Sequence, residues 1–157
     1  MTRRVIFIAA LGLVAALAMY GVATARHGVL VAQMDGTQEV NAEGQPSGDT
    51  DGAGAARIRL NPDADQVCFR LRWTNIGTPT MAHIHRAERG SNGDVVVPLF
   101  TTKLPDTLTG VTGCASGVDD ALSQEIRDNP KAFYVNIHNE DFPAGAIRGQ
   151  LKHAPRG

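Results

Sequence analysis

Gln66-Val67-Cys68-Phe69-Arg70-Leu71-Arg72-Trp73 decides the fold class. Val67, Phe69, Leu71 and Trp73 fall at every second position, and Cys68, Arg70 and Arg72 fill the gaps between them. A strand with one buried face requires that period, because successive side chains leave the backbone on opposite sides. Upstream, Asn61-Pro62-Asp63 makes a turn, and Ala55–Leu60 reads as the strand before it. Further out, Gly28–Met34 reads as a first strand, and Asp35–Gly54, rich in Gly, Asp, Asn, Ser and Pro, as a long loop. Downstream, Thr80–Arg86, Val95–Phe100 and Phe133–Asn139 read as strands, and Ile147–Lys152 closes the domain. One helix is predicted over Asp119–Asp128. Asp119 or Asp120 caps it, Leu122 and Ile126 lie four apart on one face, and Asn129-Pro130 stops it. Short strands with one minor helix predict an all-β antiparallel sandwich or barrel.

The length, 157 residues, suits one domain, and an apolar fraction of 43% is enough to build a core. Arg3 and Arg4, the apolar run Val5–Val22 and the small-x-small site Ala23-Thr24-Ala25 have the order of a signal peptide. Residues 1–25 are therefore read as a leader cleaved after Ala25, and residues 26–157 as the mature domain. Retention of the apolar run as a membrane anchor is the alternative. After cleavage no stable membrane span is expected, and the location is secreted or periplasmic. The whole chain has a net charge of −1; without Arg3 and Arg4 there are 13 basic residues against 16 acidic. That balance argues against nucleic acid as a partner.

Export bears on the two cysteines, Cys68 and Cys114, which form no Cys-x-x-Cys motif. In an oxidising compartment they are expected to pair; two free buried thiols are the other reading. A bond would close a loop of about 46 residues and contribute roughly 4 kcal/mol at most by the chain-entropy model.

Met81-Ala82-His83-Ile84-His85 carries the chemistry. In a strand, Ala82 and Ile84 turn to the core, and His83 and His85 stand together on the other face. Val135-Asn136-Ile137-His138 has the same phase, with Asn136 and His138 away from the core. If the two strands are neighbours, three imidazoles meet. Neutral imidazole suits copper, zinc, iron or nickel, whereas calcium and magnesium call for oxygen donors. The plainer reading is that these histidines donate hydrogen bonds that pin loops.

Ala82-His83-Ile84-His85, followed by Gly90-Ser91-Asn92-Gly93-Asp94-Val95-Val96-Val97 and Leu99-Phe100, resembles the central motif of the CHRD (chordin-repeat) family. Tyr134–Asn139 followed by Phe142–Leu151 resembles its closing motif, and Gly36-Thr37-Gln38-Glu39-Val40 its start, with Asn41 where a proline is common. The resemblance implies an immunoglobulin-like sandwich similar to copper–zinc superoxide dismutase, and no settled activity. Dismutases of that type ligate copper from a His-x-His strand and a later Val-Val-His strand. On that pattern His83, His85 and His138 match the copper ligands. No histidine-rich loop lies between Arg86 and Val95, and the other mature-chain histidines, His27 and His153, lie near the ends. A zinc site of the dismutase type is therefore not expected, and the dismutase arginine has no firm match, Arg148 being the nearest.

Other features weigh less. Asp49-Thr50-Asp51-Gly52 opens like a calcium loop but lacks the closing glutamate, since position 60 is Leu60. Met81 shares the histidine face as a soft donor or as packing. Arg148 is expected to pair with Glu140 or Asp141. Arg57, Arg59, Arg70 and Arg72 alternate on two strands as a basic stripe or a solvated face. No Gly-x-Ser-x-Gly elbow and no phosphate loop is present. The combined reading is an exported, non-enzymatic binding module that holds copper through His83, His85 and His138. Its alternative is a metal-free envelope or matrix module for a protein or glycan, and a copper-only redox enzyme stands behind both.

Overall fold

The computed structural model describes residues 28–155. The leader assigned to residues 1–25, and His27, lie outside them. The described residues form nine strands, β1 (Val29–Asp35), β2 (Ala53–Asn61), β3 (Gln66–Thr74), β4 (Pro79–Arg86), β5 (Asp94–Phe100), β6 (Gly110–Ser116), β7 (Phe133–Asn139), β8 (Ile147–Gln150) and β9 (Lys152–His153). They form one antiparallel sheet in the order β5-β4-β7-β8-β1-β2-β3-β6, with β9 paired to β1. The sheet rolls until its edges β5 and β6 approach one another, giving a nearly closed sandwich or barrel. The all-β expectation holds.

The two-residue alternation fills the interior. Leu30 and Met34 from β1, Ile58 from β2, Val67, Phe69, Leu71 and Trp73 from β3, Ile84 from β4, and Val135 and Ile137 from β7 all point inward and are buried. The helix α1 (Asp120–Asp128) begins as predicted. The Asp119 side chain accepts hydrogen bonds from the amides of Ala121 and Leu122, satisfying donors that a first turn leaves free. Ile126 anchors the helix in the core, and a short 3-10 turn at Pro130–Ala132 leads into β7.

The sequence reading has no strand where β6 lies. Its residues, Gly-Val-Thr-Gly-Cys-Ala-Ser, offer little apolar alternation. Gly113 stands opposite Phe69, and a side chain there would meet the Phe69 ring, with an added Cβ only 2.9 Å from Cζ. The small residue is the condition for the large one across the ladder. Cys68 and Cys114 also face each other across β3 and β6 and are bonded, so a covalent tie reinforces a strand with little packing of its own. Among the described residues no helix is long and apolar enough to cross a membrane.

Candidate metal centre

β4 and β7 are neighbours, with Met81 opposite His138, His83 opposite Asn136 and His85 opposite Tyr134. Asn136 in turn faces Arg148 on β8. The row His83–Asn136–Arg148 therefore lies on the outer side of the sheet, away from Ala82, Ile84, Val135 and Ile137. An outer face would ordinarily meet water, but here β7 is buried along its whole length. The loops 36–52 and 87–93 and the turn that holds Pro143 lie over this face, through Glu39 at Arg148, Gly93 at His85 and Pro143 at His138. Asn92 ties the two loops together: its amide donates to the carbonyls of Val40 and Asn41 at 2.9 and 3.2 Å, and its carbonyl oxygen accepts from Arg148 Nη1 at 2.9 Å.

Under this cover His83, His85 and His138 are only 8%, 9% and 6% exposed. One nitrogen from each converges with the other two, all within 4.8 Å of one another. Two of the three tautomers follow from elementary chemistry. His85 Nδ1 lies 2.8 Å from the Gly93 carbonyl oxygen, and His138 Nδ1 lies 3.0 Å from that of Pro143. A carbonyl oxygen only accepts, so both Nδ1 atoms carry the proton and donate. In the neutral rings both Nε2 atoms then present a bare lone pair. His138 Nε2 faces His83 Nδ1 at 3.1 Å, and His85 Nε2 is buried with no hydrogen-bond partner among the described residues, the Asn136 side chain lying near the ring. Nitrogen lone pairs brought together in this way call for a proton or a cation between them. The loop-pinning reading thus holds for the Nδ1 atoms of His85 and His138, whose Nε2 atoms it orients, and not for His83, whose Nδ1 faces His138.

The electrostatics keep the rings neutral. Burial, reinforced by His138 and His85, lowers His83 from the ordinary imidazole value of 6.5 to about 4. Burial also pulls His85 and His138 down. Neutral imidazole is the form that binds a metal, and a donor set of three nitrogens without carboxylate suits copper or zinc rather than calcium or magnesium.

Beside the histidines lies a second buried group. The Tyr134 ring is nearly parallel to that of His85, with 4.8 Å between centroids and 6° between planes, and the Arg148 guanidinium sits 4.2 Å from the Tyr134 centroid. Glu39, from the loop after β1, lies 3.6 Å from Arg148, an ion pair longer than a hydrogen bond. Burial pushes the Glu39 carboxyl up to about 7 against the pull of Arg148. The expected pairing of Arg148 with Glu140 or Asp141 is therefore incorrect. Arg148 is 1% exposed under the two loops, while Glu140 is on the surface and pairs with Lys103.

The sequence reading missed Glu39, Asn92 and Tyr134 as part of this assembly. Their only signal was that they lie inside the stretches 36–40, 90–97 and 134–139. A model of the CHRD domain matches residues 30–151. The chain belongs to the CHRD domain family. The match spans β1 to the end of β8, so the histidine pair on β4, the third histidine on β7, Glu39 and Arg148 all lie inside the CHRD domain. No curated protein and no solved structure matches the chain. CHRD membership and the disulfide are consistent with an extracellular binding module. A cleft of about 580 Å³, lined by Gln33, Glu88, Lys131 and Gln150 among others, does not include the histidines. Donor chemistry, not volume, selects the candidate centre.

Proposed function

We propose that this CHRD domain is an exported, non-enzymatic module that binds copper through His83 Nδ1, His85 Nε2 and His138 Nε2. The observation that carries the reading is the convergence of three neutral imidazole nitrogens, two of them with tautomers set by the carbonyls of Gly93 and Pro143. Hydrogen bonds from the far nitrogen of a ligating imidazole to a carbonyl hold the ring and raise its basicity. The chain's part is to keep the rings neutral by burial, to aim them, and to limit water through the loops 36–52 and 87–93. Copper(II) stands above zinc in intrinsic affinity for such nitrogen sites, which is why it leads. The bonded Cys68 and Cys114 support an oxidising compartment and hence export.

The test is calorimetric titration with copper and with zinc at pH 7.4 on the protein expressed from the full chain. A His83→Ala/His85→Ala variant runs alongside, its fold checked by circular dichroism. Stoichiometric, sub-micromolar copper binding that a folded variant loses is the expected result. Binding no tighter than the variant's would overturn the proposal and leave His85 and His138 as loop anchors.

A further inference from the structure

On the side of the sheet farthest from the histidines, β2 and β3 present Arg57, Arg59, Arg70 and Arg72, all exposed. Arg57 stands directly opposite Arg70. Arg59 lies one outward position along β2, opposite Cys68, and Arg72 one outward position along β3, opposite Ala55. With about 6.8 Å between same-face residues of a strand, the four form a line roughly 14 Å long.

None of the four takes part in an ion pair among the described residues. The outward positions of β1, β2, β3 and β6 hold one carboxylate, Asp35. It sits at the end of β1 and is engaged by Thr37 and Gln38. Asp63 and Asp65 belong to the turn beyond the β2–β3 ladder. Like charges directly opposed across a ladder cost stability. In a chain with 16 acidic residues that cost could be removed by one substitution, yet the outward positions of β2 and β3 carry no carboxylate.

Two shallow grooves border the line. One, of about 540 Å³, is lined by Arg70, Arg72 and the threonines Thr107, Thr109 and Thr112. The other, of about 410 Å³, runs past Gln33, Arg72, Thr74 and Thr109. Guanidinium groups match carboxylate and sulfate in fork geometry, and the flanking hydroxyls and amide match sugar hydroxyls. The four-arginine face itself carries no large exposed apolar side chain with which to enter a lipid surface; of the exposed ones, Leu108 lines the first groove and Val95 lies on β5.

We propose that the outer face of β2 and β3 binds an anionic polysaccharide lengthwise along Arg59, Arg57, Arg70 and Arg72, independently of the histidine centre. Four neutralised charges give a log–log salt slope of about −2.8, or roughly a 50-fold loss of affinity between 50 and 200 mM salt, taking the single-strand polyanion coefficient.

The experiment measures binding of the protein expressed from the full chain to heparin and to polygalacturonate across that salt range. It compares Arg57→Gln/Arg70→Gln with Lys103→Gln/Arg127→Gln, which removes the same charge elsewhere. The first variant is expected to lose at least tenfold in affinity and about half the slope, with an unchanged or raised melting temperature because the opposed charges are gone. The second variant and His83→Ala/His85→Ala are expected to bind as the parent does. Whichever polymer binds tighter identifies sulfate or carboxylate as the recognised group. Absence of binding at 50 mM salt, or equal losses in both charge variants, overturns the proposal. Tighter, Arg57-dependent binding to duplex DNA or to phosphatidylserine vesicles overturns the polysaccharide as occupant.

Discussion

Replacing His83 with asparagine should remove most of an acid-sensitive contribution to folding. In the folded protein His83 takes a proton only near pH 4, whereas an unfolded imidazole does so near 6.5. Above pH 6.5 both states are neutral and the residue adds no pH dependence. Below it the unfolded chain is protonated first, so stability falls as pH falls, until the folded ring also protonates near pH 4. Across that window the loss is about 3 kcal/mol, since each pH unit between the two protonation midpoints contributes about 1.36 kcal/mol. Asparagine does not titrate, and its curve should lack this limb. Urea unfolding of parent and His83→Asn at pH 7, 6, 5 and 4, with chelator present, measures the difference. With a slope of about 2 kcal/mol/M, the gap between the two midpoints should change by roughly 1.5 M from pH 7 to pH 4. Contributions from other titrating groups occur in both proteins and largely cancel. Midpoints that stay parallel would refute the premise that His83 is buried as a neutral ring, and with it the reason for its readiness as a ligand.

Glu39 works in the opposite direction. Its carboxyl holds a proton up to about pH 7 when folded and to about 4.5 when unfolded, so its contribution is complete below 4.5 and is lost as pH rises through 7. Glu39→Gln should therefore gain on the parent between pH 5 and pH 8, by about 2–3 kcal/mol on the same conversion, read from urea midpoints at the two pH values; a constant offset would contradict the assignment. Reducing the Cys68–Cys114 bond, 46 residues apart in sequence, should cost up to about 4 kcal/mol and lower the melting temperature, and an unchanged transition under reductant would show that β6 is held by its ladder alone.

What was legible in the sequence follows from where one physical signal dominated. On β3, β4 and β7 the alternation of apolar and polar residues was strong enough to fix the phase of each strand, so His83, His85, Asn136 and His138 could be set on the non-core side. The helix was legible because Asp119 and Asn129-Pro130 bracket it. β6 was not, since Gly113 is small to admit Phe69 and Cys114 is bonded to Cys68, and neither relation is local. The adjacency of β4 and β7, on which the cluster depends, is a tertiary fact with no local signature. The cover over the outer face was illegible for the same reason: Glu39, Asn92 and Arg148 are far apart in the chain and acquire their meaning only when two loops close over β7 and β8. A surface partner was therefore the natural expectation for Arg148, and burial overturned it.

All three histidines stand on ladder-paired strands in the interior of the sheet, not on loops. Their spacing is set by backbone pairing that forms with the barrel itself. An incoming ion would have no chain to organise, and its departure would leave none disordered. On the proposed function, folding and loading would be separable in time, with the chain oxidised and packed before it meets an ion. If the proposed ion binds, its way in and out runs past the cover that Asn92 ties together, and a change at Asn92 would then alter its exchange without altering a histidine.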